Sequence, residues 1–229
     1  MYFKSRTEAG KDLADKLAET YAGKPCCVIA LSEGGVVVGL QIAKRLECVL
    51  SMLLVEPIEL PGEIDPIGAI SENGTFSFSN MYAPGEIEEL MFDYRGVVED
   101  EKRTKLSEMH QLVGAGTNMR LELLRNKHVI LVTDGFSTGY ALDIAIEVLK
   151  PVSTRSICAA APIASPSAVD HLRVLCDRTF FLTITQNYLA TDHYYDYRDV
   201  PEREDAVKVV QEIMSAWQAE GEGQETGQR

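Results

Sequence analysis

The stretch HVILVTDGFSTGYALDIAIEVL, His128 to Leu149, decides how this chain folds. Val129 to Val132 is a continuous apolar, mostly β-branched run, the pattern of a strand buried on both faces of a parallel sheet. Thr133 and Asp134 follow, then Gly135, Phe136, Ser137, Thr138 and Gly139, and then Leu142, Ile144, Ala145, Val148 and Leu149 recur at helical spacing. Strand, turn and helix in that order present backbone N–H groups and the Ser137 and Thr138 hydroxyls at the positive end of a helix dipole, a geometry suited to phosphate. Asp134 stands at the strand's carboxyl end, where ligands of open α/β sheets bind. The same residues also fit a plain turn, with Gly135 and Gly139 bending the chain and Ser137 or Thr138 capping the helix.

The flanking sequence repeats this pattern. CCVIAL (26–31) reads as a buried strand, Ser32, Glu33, Gly34 and Gly35 as a turn, and VVVGLQIAKRLE as a helix. That turn is a second candidate anion site, although Glu33 favours a tight βα turn because a carboxylate repels phosphate. CVLSMLLV (48–55), SICAAAPIA (156–164) and RTFFLTIT (178–185) are further strands, with a helix over 165–175 that has Ser165 as N-cap and Pro166 at its first position. Strands that alternate with helices give an α/β fold, a parallel sheet flanked by helices.

Other segments frame this core. Residues 5–22 form a helix with a capping box from Ser5 to Glu8. Three prolines and the ENGT turn between GAIS and FSFS predict a loop followed by a β-hairpin, a small appendage. A long helix is expected from Pro84 to about Leu112, a breaker at 114–118, and a last amphipathic helix from about Pro201 to Trp217. The polar residues 220–229 are expected to be a disordered tail.

With 229 residues and 45% hydrophobic content, the chain can bury one sizeable core, so a single domain over 1–219 is expected. No apolar run reaches the length of a membrane span, and MYFKSRTEAGK lacks the apolar core of a signal peptide, which predicts a cytoplasmic protein without membrane contact. A net charge of −13 argues against a nucleic-acid partner. The five cysteines follow neither a disulfide nor a zinc pattern and read as buried thiols. The four histidines are scattered without metal spacing.

The segments RTEAGKDLADKL, ALSEGGVVVG, IGAISENGT, VILVTDGFSTG, AAAPIASPSAV and ATDHYYDYRDV, in that order, make the chain resemble the type I phosphoribosyltransferases, most closely their bacterial branch of predicted phosphoribosyltransferases. The resemblance covers Ser5 to about Ser215. It implies a glycosyltransferase of nucleotide metabolism whose Gly135, Phe136, Ser137, Thr138 and Gly139 hold the 5-phosphate of phosphoribosyl diphosphate. Thr133 and Asp134 would face the ribose hydroxyls, with Asp134 the catalytic residue. Ser32, Glu33, Gly34 and Gly35 would form the diphosphate loop. Residues 56–82 and 186–197 would make a hood over the second substrate, its pocket lined by Tyr188, Tyr194 or Tyr195. Mg²⁺ would arrive with the diphosphate rather than on protein ligands, and a homodimer is left open.

Three positions depart from the family pattern. Thr133 replaces an acidic residue, and Glu33 and Glu56 stand where relatives carry basic ones. Replacing a cation by an anion about 4 Å from a phosphate costs several kcal/mol even at an effective dielectric of about 20. Two functions therefore stay open: transfer of a phosphoribosyl group to a base, or binding of a phosphorylated ribose compound by an inactive nucleotide-binding or regulatory relative.

Overall fold

The computed structural model describes residues 3–79, 81–113, 121–137 and 140–225. The expected breaker at 114–118 and two residues of the expected phosphate turn, Thr138 and Gly139, lie outside them. Contacts divide the chain into two compact units, the first Met1–Met52, Met119–Thr138 and Val152–Arg229, the second Leu53–Asn118 and Gly139–Pro151. The two parts expected to share a hood fall in different units, 56–82 in the second and 186–197 in the first.

The first unit holds helix α1 (Arg6–Tyr21), strand β1 (Cys26–Ala30), helix α2 (Glu33–Leu46) and strand β2 (Val49–Met52). The second holds β3 (Val55–Ile58), β4 (Gly68–Ser71), β5 (Phe76–Phe78), α3 (Pro84–Val113) and, after strand β6 (His128–Val132) of the first unit, helix α4 (Tyr140–Leu149). The chain ends in the first unit with β7 (Ser156–Ala164), α5 (Pro166–Leu175), β8 (Arg178–Ile184) and α6 (Arg203–Glu225).

In the first unit five strands form a sheet in the order β2-β1-β6-β7-β8, and every pairing is parallel. The register sets Ala30 beside Met52 on one side and Val132 on the other. β1 is buried along its whole length and β6 from Val129 onward, which is why both read as unbroken apolar runs. Strand order runs one way from β1 to β2 and the other way from β6 to β8, so the topological switch point lies between β1 and β6. The right-handed crossover rule then puts α2 and α5 on opposite faces. α1 packs on α2 and also meets β7 and β8. Its start is set by Ser5, whose Oγ accepts from the Glu8 N–H at 3.1 Å.

Helix α6 continues through Glu225, so residues 220–225 are helical where a disordered tail was expected. Glutamate and glutamine are good helix formers there, and each interrupting glycine costs only about 1 kcal/mol. The expected single strand over 48–55 is also two: β2 ends at Met52 in the parallel sheet, and β3 starts at Val55 in a three-stranded antiparallel sheet of order β3-β4-β5. An apolar run has the same appearance whether it serves one strand or two. Pro57 is tolerated because β3 is an edge strand.

The second unit contains the expected hairpin, β4 and β5, closed by a turn in which the Ser71 N–H donates to the Thr75 carbonyl at 2.9 Å. Gly74 adopts φ +81°, a conformation that favours glycine. Lys102 of α3 lies 4.0 Å from the centre of the Phe76 ring, and His110 Nε2 lies 2.8 Å from the Glu72 carbonyl oxygen. Among the described residues no helix is long and apolar enough to cross a membrane.

Candidate functional site

The carboxyl ends of β1 and β6 are joined by side chains. Ser32, the N-cap of α2, accepts the Gly35 N–H on Oγ at 2.9 Å. The same Oγ lies 3.0 Å from Thr133 Oγ1 and donates to Asp134 Oδ1 at 3.0 Å. Thr133 Oγ1 donates to that carboxylate oxygen as well, at 3.2 Å. The other oxygen, Oδ2, takes the Arg6 Nε–H at 2.8 Å. Asp134 is therefore a buried anion with both oxygens engaged and a buried cation beside it.

Gly34 makes this arrangement possible. A Cβ at that position would lie 2.2 Å from Asp134 Oδ2 and 2.3 Å from its Cγ, so any side chain would displace the carboxylate. Ser32 to Gly35 is thus a helix cap and first turn rather than a separate loop. Glu33 reaches away to Arg203, whose Nε–H donates to Oε1 at 2.7 Å, so the carboxylate expected to repel a diphosphate has a cation of its own.

The turn after Asp134 departs from the expected cradle. Phe136 continues the line of β6: its N–H donates to the Ile163 carbonyl at 3.0 Å and its own carbonyl accepts from the Ser165 N–H at 2.9 Å. Its side chain is buried and meets Phe181 edge to face. The Phe136 amide is therefore spent inside the sheet and is not a phosphate donor. Ser137 is exposed, and its carbonyl accepts from Ser165 Oγ at 2.8 Å. Gly135 lies under Tyr188, since a Cβ there would fall 2.2 Å from the tyrosine oxygen.

The three pocket tyrosines behave differently from one another. Tyr188 is half-buried, shares a hydrogen bond with Thr191 Oγ1 at 2.8 Å, and has its phenol pushed up to about 12 by burial. Tyr194 is buried and donates to the Asn187 carbonyl at 2.9 Å, which braces its own loop. Tyr195 is buried, donates to the Asp134 carbonyl at 2.6 Å and lies under the Arg6 guanidinium, 4.2 Å from ring centre to Cζ. Burial, then Asp134, pushes the Tyr195 phenol strongly upward. Tyr194 and Tyr195 therefore support the site from within instead of lining an open pocket. Glu56 belongs to β3 in the second unit, opposite Ile70.

Four charged residues absent from the expected set complete this region: Arg6, Asp192, Asp199 and Arg203. Arg6 had a signal, because it shares a helical face with Ala9, Leu13 and Leu17, so an arginine sits on the buried stripe of α1. Burial by itself would lower its pKa, but Asp134 and Asp192 outweigh this and raise it. The acidic residues are met across long stretches of chain and leave no period to read.

No family model matches the chain. Two curated relatives from Mycobacterium tuberculosis, "Putative phosphoribosyl transferase Rv0571c" (strain H37Rv) and "Putative phosphoribosyl transferase MT0597" (strain CDC 1551), are each 27% identical over 195 residues, 81% of this chain and 43% of theirs. The chain is similar to these two proteins over most of its length, and its parallel five-stranded sheet, with a small antiparallel sheet beside it in sequence, is the α/β class expected from the sequence. The chain spans less than half the length of those curated relatives. The crystal structure of TT1426 from Thermus thermophilus is similar throughout, with 27% identity, a TM-score of 0.67, and coverage of 92% of this chain and 97% of that one.

Among the described residues no group of three histidine, cysteine, aspartate or glutamate side chains is placed to hold an ion. The Asp134 oxygens are already taken by Arg6, Ser32 and Thr133.

Proposed function

We propose that this chain binds a phosphorylated ribose compound, phosphoribosyl diphosphate or a nucleotide, at the carboxyl edge of the parallel sheet, with Asp134 toward the ribose. The reading rests on one observation, the meeting of Ser32 with Thr133 and Asp134 across the β1/β6 switch point. That is where open α/β sheets take their ligands. The names of the Mycobacterium tuberculosis relatives point the same way.

The electrostatics favour binding over transfer. Breaking the bond at ribose C1 builds positive charge on the sugar, and a free carboxylate would stabilise it. The Arg6 guanidinium, shared with Asp192 and Asp199, offsets part of the Asp134 charge, so the carboxylate still accepts a neutral hydroxyl but gives a developing cation less than a free carboxylate would. Transfer is the second reading, and the Glu33–Arg203 pair favours it, because the pairing offsets the charge that would otherwise oppose a diphosphate.

Calorimetric titration with phosphoribosyl diphosphate and, separately, ribose 5-phosphate, each with and without Mg²⁺, tests this. Ribose 5-phosphate binding as tightly as the diphosphate supports the binding reading. Tight binding of the diphosphate only with Mg²⁺ supports transfer and justifies a screen of bases. No binding of either compound overturns both.

A further inference from the structure

Arg6 is 1% exposed, and its guanidinium meets three carboxylates. Nε donates to Asp134 Oδ2 at 2.8 Å, one terminal nitrogen donates to Asp192 Oδ1, and the other lies 3.4 Å from Asp199 Oδ1. Asp199 also accepts the backbone N–H groups of Arg6 at 3.0 Å and Thr7 at 3.4 Å, so it secures the start of α1 without help from the guanidinium. A structural staple would need no more than that. The Nε donation instead goes to the one carboxylate oxygen of Asp134 that neither neighbouring hydroxyl takes, and so fixes the carboxylate's rotation.

The segment that carries the other two carboxylates is itself tied to the site. The Phe3 N–H donates to the Tyr194 carbonyl at 2.8 Å and the Asp196 N–H to the Phe3 carbonyl at 2.9 Å, beside the Tyr195 hydroxyl on Asp134. The titratable and charged groups around Asp134 are Arg6, Tyr188 and Tyr195, with Asp192 and Asp199 on the far side of the guanidinium and Arg198 on Asp192.

We infer that Arg6 is a positioning residue: it fixes the Asp134 carboxylate in register with Ser32 at the switch point and makes the 191–199 segment part of ligand binding there. The inference rests on the reading of this edge as a phosphorylated-ribose site. Asp134 acts on the ligand, and Arg6 acts through Asp134.

The test is a double-mutant cycle on ribose 5-phosphate affinity with Arg6→Gln, Asp134→Asn and the pair, joined to hydrogen exchange of the ligand-free proteins. Arg6→Gln is expected to weaken binding at least tenfold, Asp134→Asn similarly, and the double variant no more than either alone. Arg6→Lys, which keeps the charge but not the fork, falls between and serves if the glutamine variant does not fold. In the free Arg6→Gln protein, amides at 133–135 and 191–199 lose protection together. If the two losses multiply, or Arg6→Gln binds as well as the parent, Arg6 does not position Asp134 and the inference is overturned while the ligand site stands. If the parent protein does not bind ribose 5-phosphate, the ligand reading fails. Joint loosening of the two segments then still supports the positioning of Asp134, and its absence overturns that too.

Discussion

Arg6 Nε and Asp134 Oδ2 are 2.8 Å apart across 128 positions of sequence, and both residues are buried. Removing one partner of such a pair leaves an uncompensated charge in a poorly hydrated site, which costs about 3–5 kcal/mol. Arg6→Met is expected to lose stability of that order in chemical denaturation, because Asp134 is then left without its cation. Asp192, with a side chain 47% exposed, recovers water and contributes little to the loss. A loss below about 1 kcal/mol would mean that water already reaches the pair.

Gly34 and Gly96 both lie in helices but should respond oppositely to alanine. A Cβ on Gly34 collides with an Asp134 carboxylate that Arg6, Ser32 and Thr133 hold in place. Gly34→Ala is therefore expected to destabilise by about 1–3 kcal/mol, as overpacking does, and to weaken ribose 5-phosphate binding. A Cβ on Gly96 meets nothing within 4 Å in α3, so Gly96→Ala should gain about 0.5–1 kcal/mol from helix propensity. Melting curves of the two variants check the sign of each.

How far the sequence discloses all this depends on the range of the interaction. β1, β6 and β7 are buried on both faces, so their burial is written locally as apolar runs, and the βα turn at Ser32 is written as a cap before two glycines. The parallel sheet follows from those local signals together with the alternation of strands and helices, whereas the strand order that sets the switch point comes only from the pairing of β1 with β6. The change of sheet at Leu53 and Leu54 is not written locally, because the apolar run continues from β2 through both residues to Val55, where β3 begins. The partners of Asp134 and Glu33 are also hidden: Arg6 and Arg203 stand 128 and 170 positions away, and a pair formed by tertiary folding leaves no period. For that reason charge counting alone makes the 32–35 turn look more hostile to anions than its geometry is.

Glu33 and Arg203 give that point a measurable form. Both side chains are partly exposed, 24% and 38%, so the pair contributes at most about 1 kcal/mol to stability. Arg203→Ala and Glu33→Gln are expected to melt close to the parent protein. Their effects on phosphoribosyl diphosphate should oppose each other, with affinity lower when Arg203 is lost and higher when Glu33 is neutralised. Equal affinities in the two variants would place the diphosphate away from this turn.

All five cysteines are buried. Burial pushes Cys27, Cys48, Cys158 and Cys176 up to about 12 and raises Cys26 as well. The thiolate is the reactive form, so at pH 8 roughly one thiol in 10⁴ is ionised at a pKa near 12. Native protein should resist iodoacetamide at that pH and take up five labels once unfolded in guanidinium. Rapid labelling of any cysteine in the native state would show an opening of the sheet that the packing does not provide.

His128 makes stability depend on pH, and the sign follows from its surroundings. It starts β6, shares a 2.7 Å hydrogen bond through Nδ1 with Ser156 Oγ and packs beside the Tyr21 ring. Burial lowers its pKa, with Lys24 and Arg155 adding to the effect. The unfolded chain, with an ordinary value of about 6.5, therefore takes up a proton before the folded one does. The favourable contribution is complete above that pH and declines as pH falls from about 6.5 through the lower folded value. Below the folded value both states are protonated and the decline stops. Denaturant melts between pH 7.5 and 5 should show the parent protein losing stability faster than His128→Gln, the slope difference appearing only below about 6.5. Parallel curves would mean that His128 accepts its proton without cost in the fold.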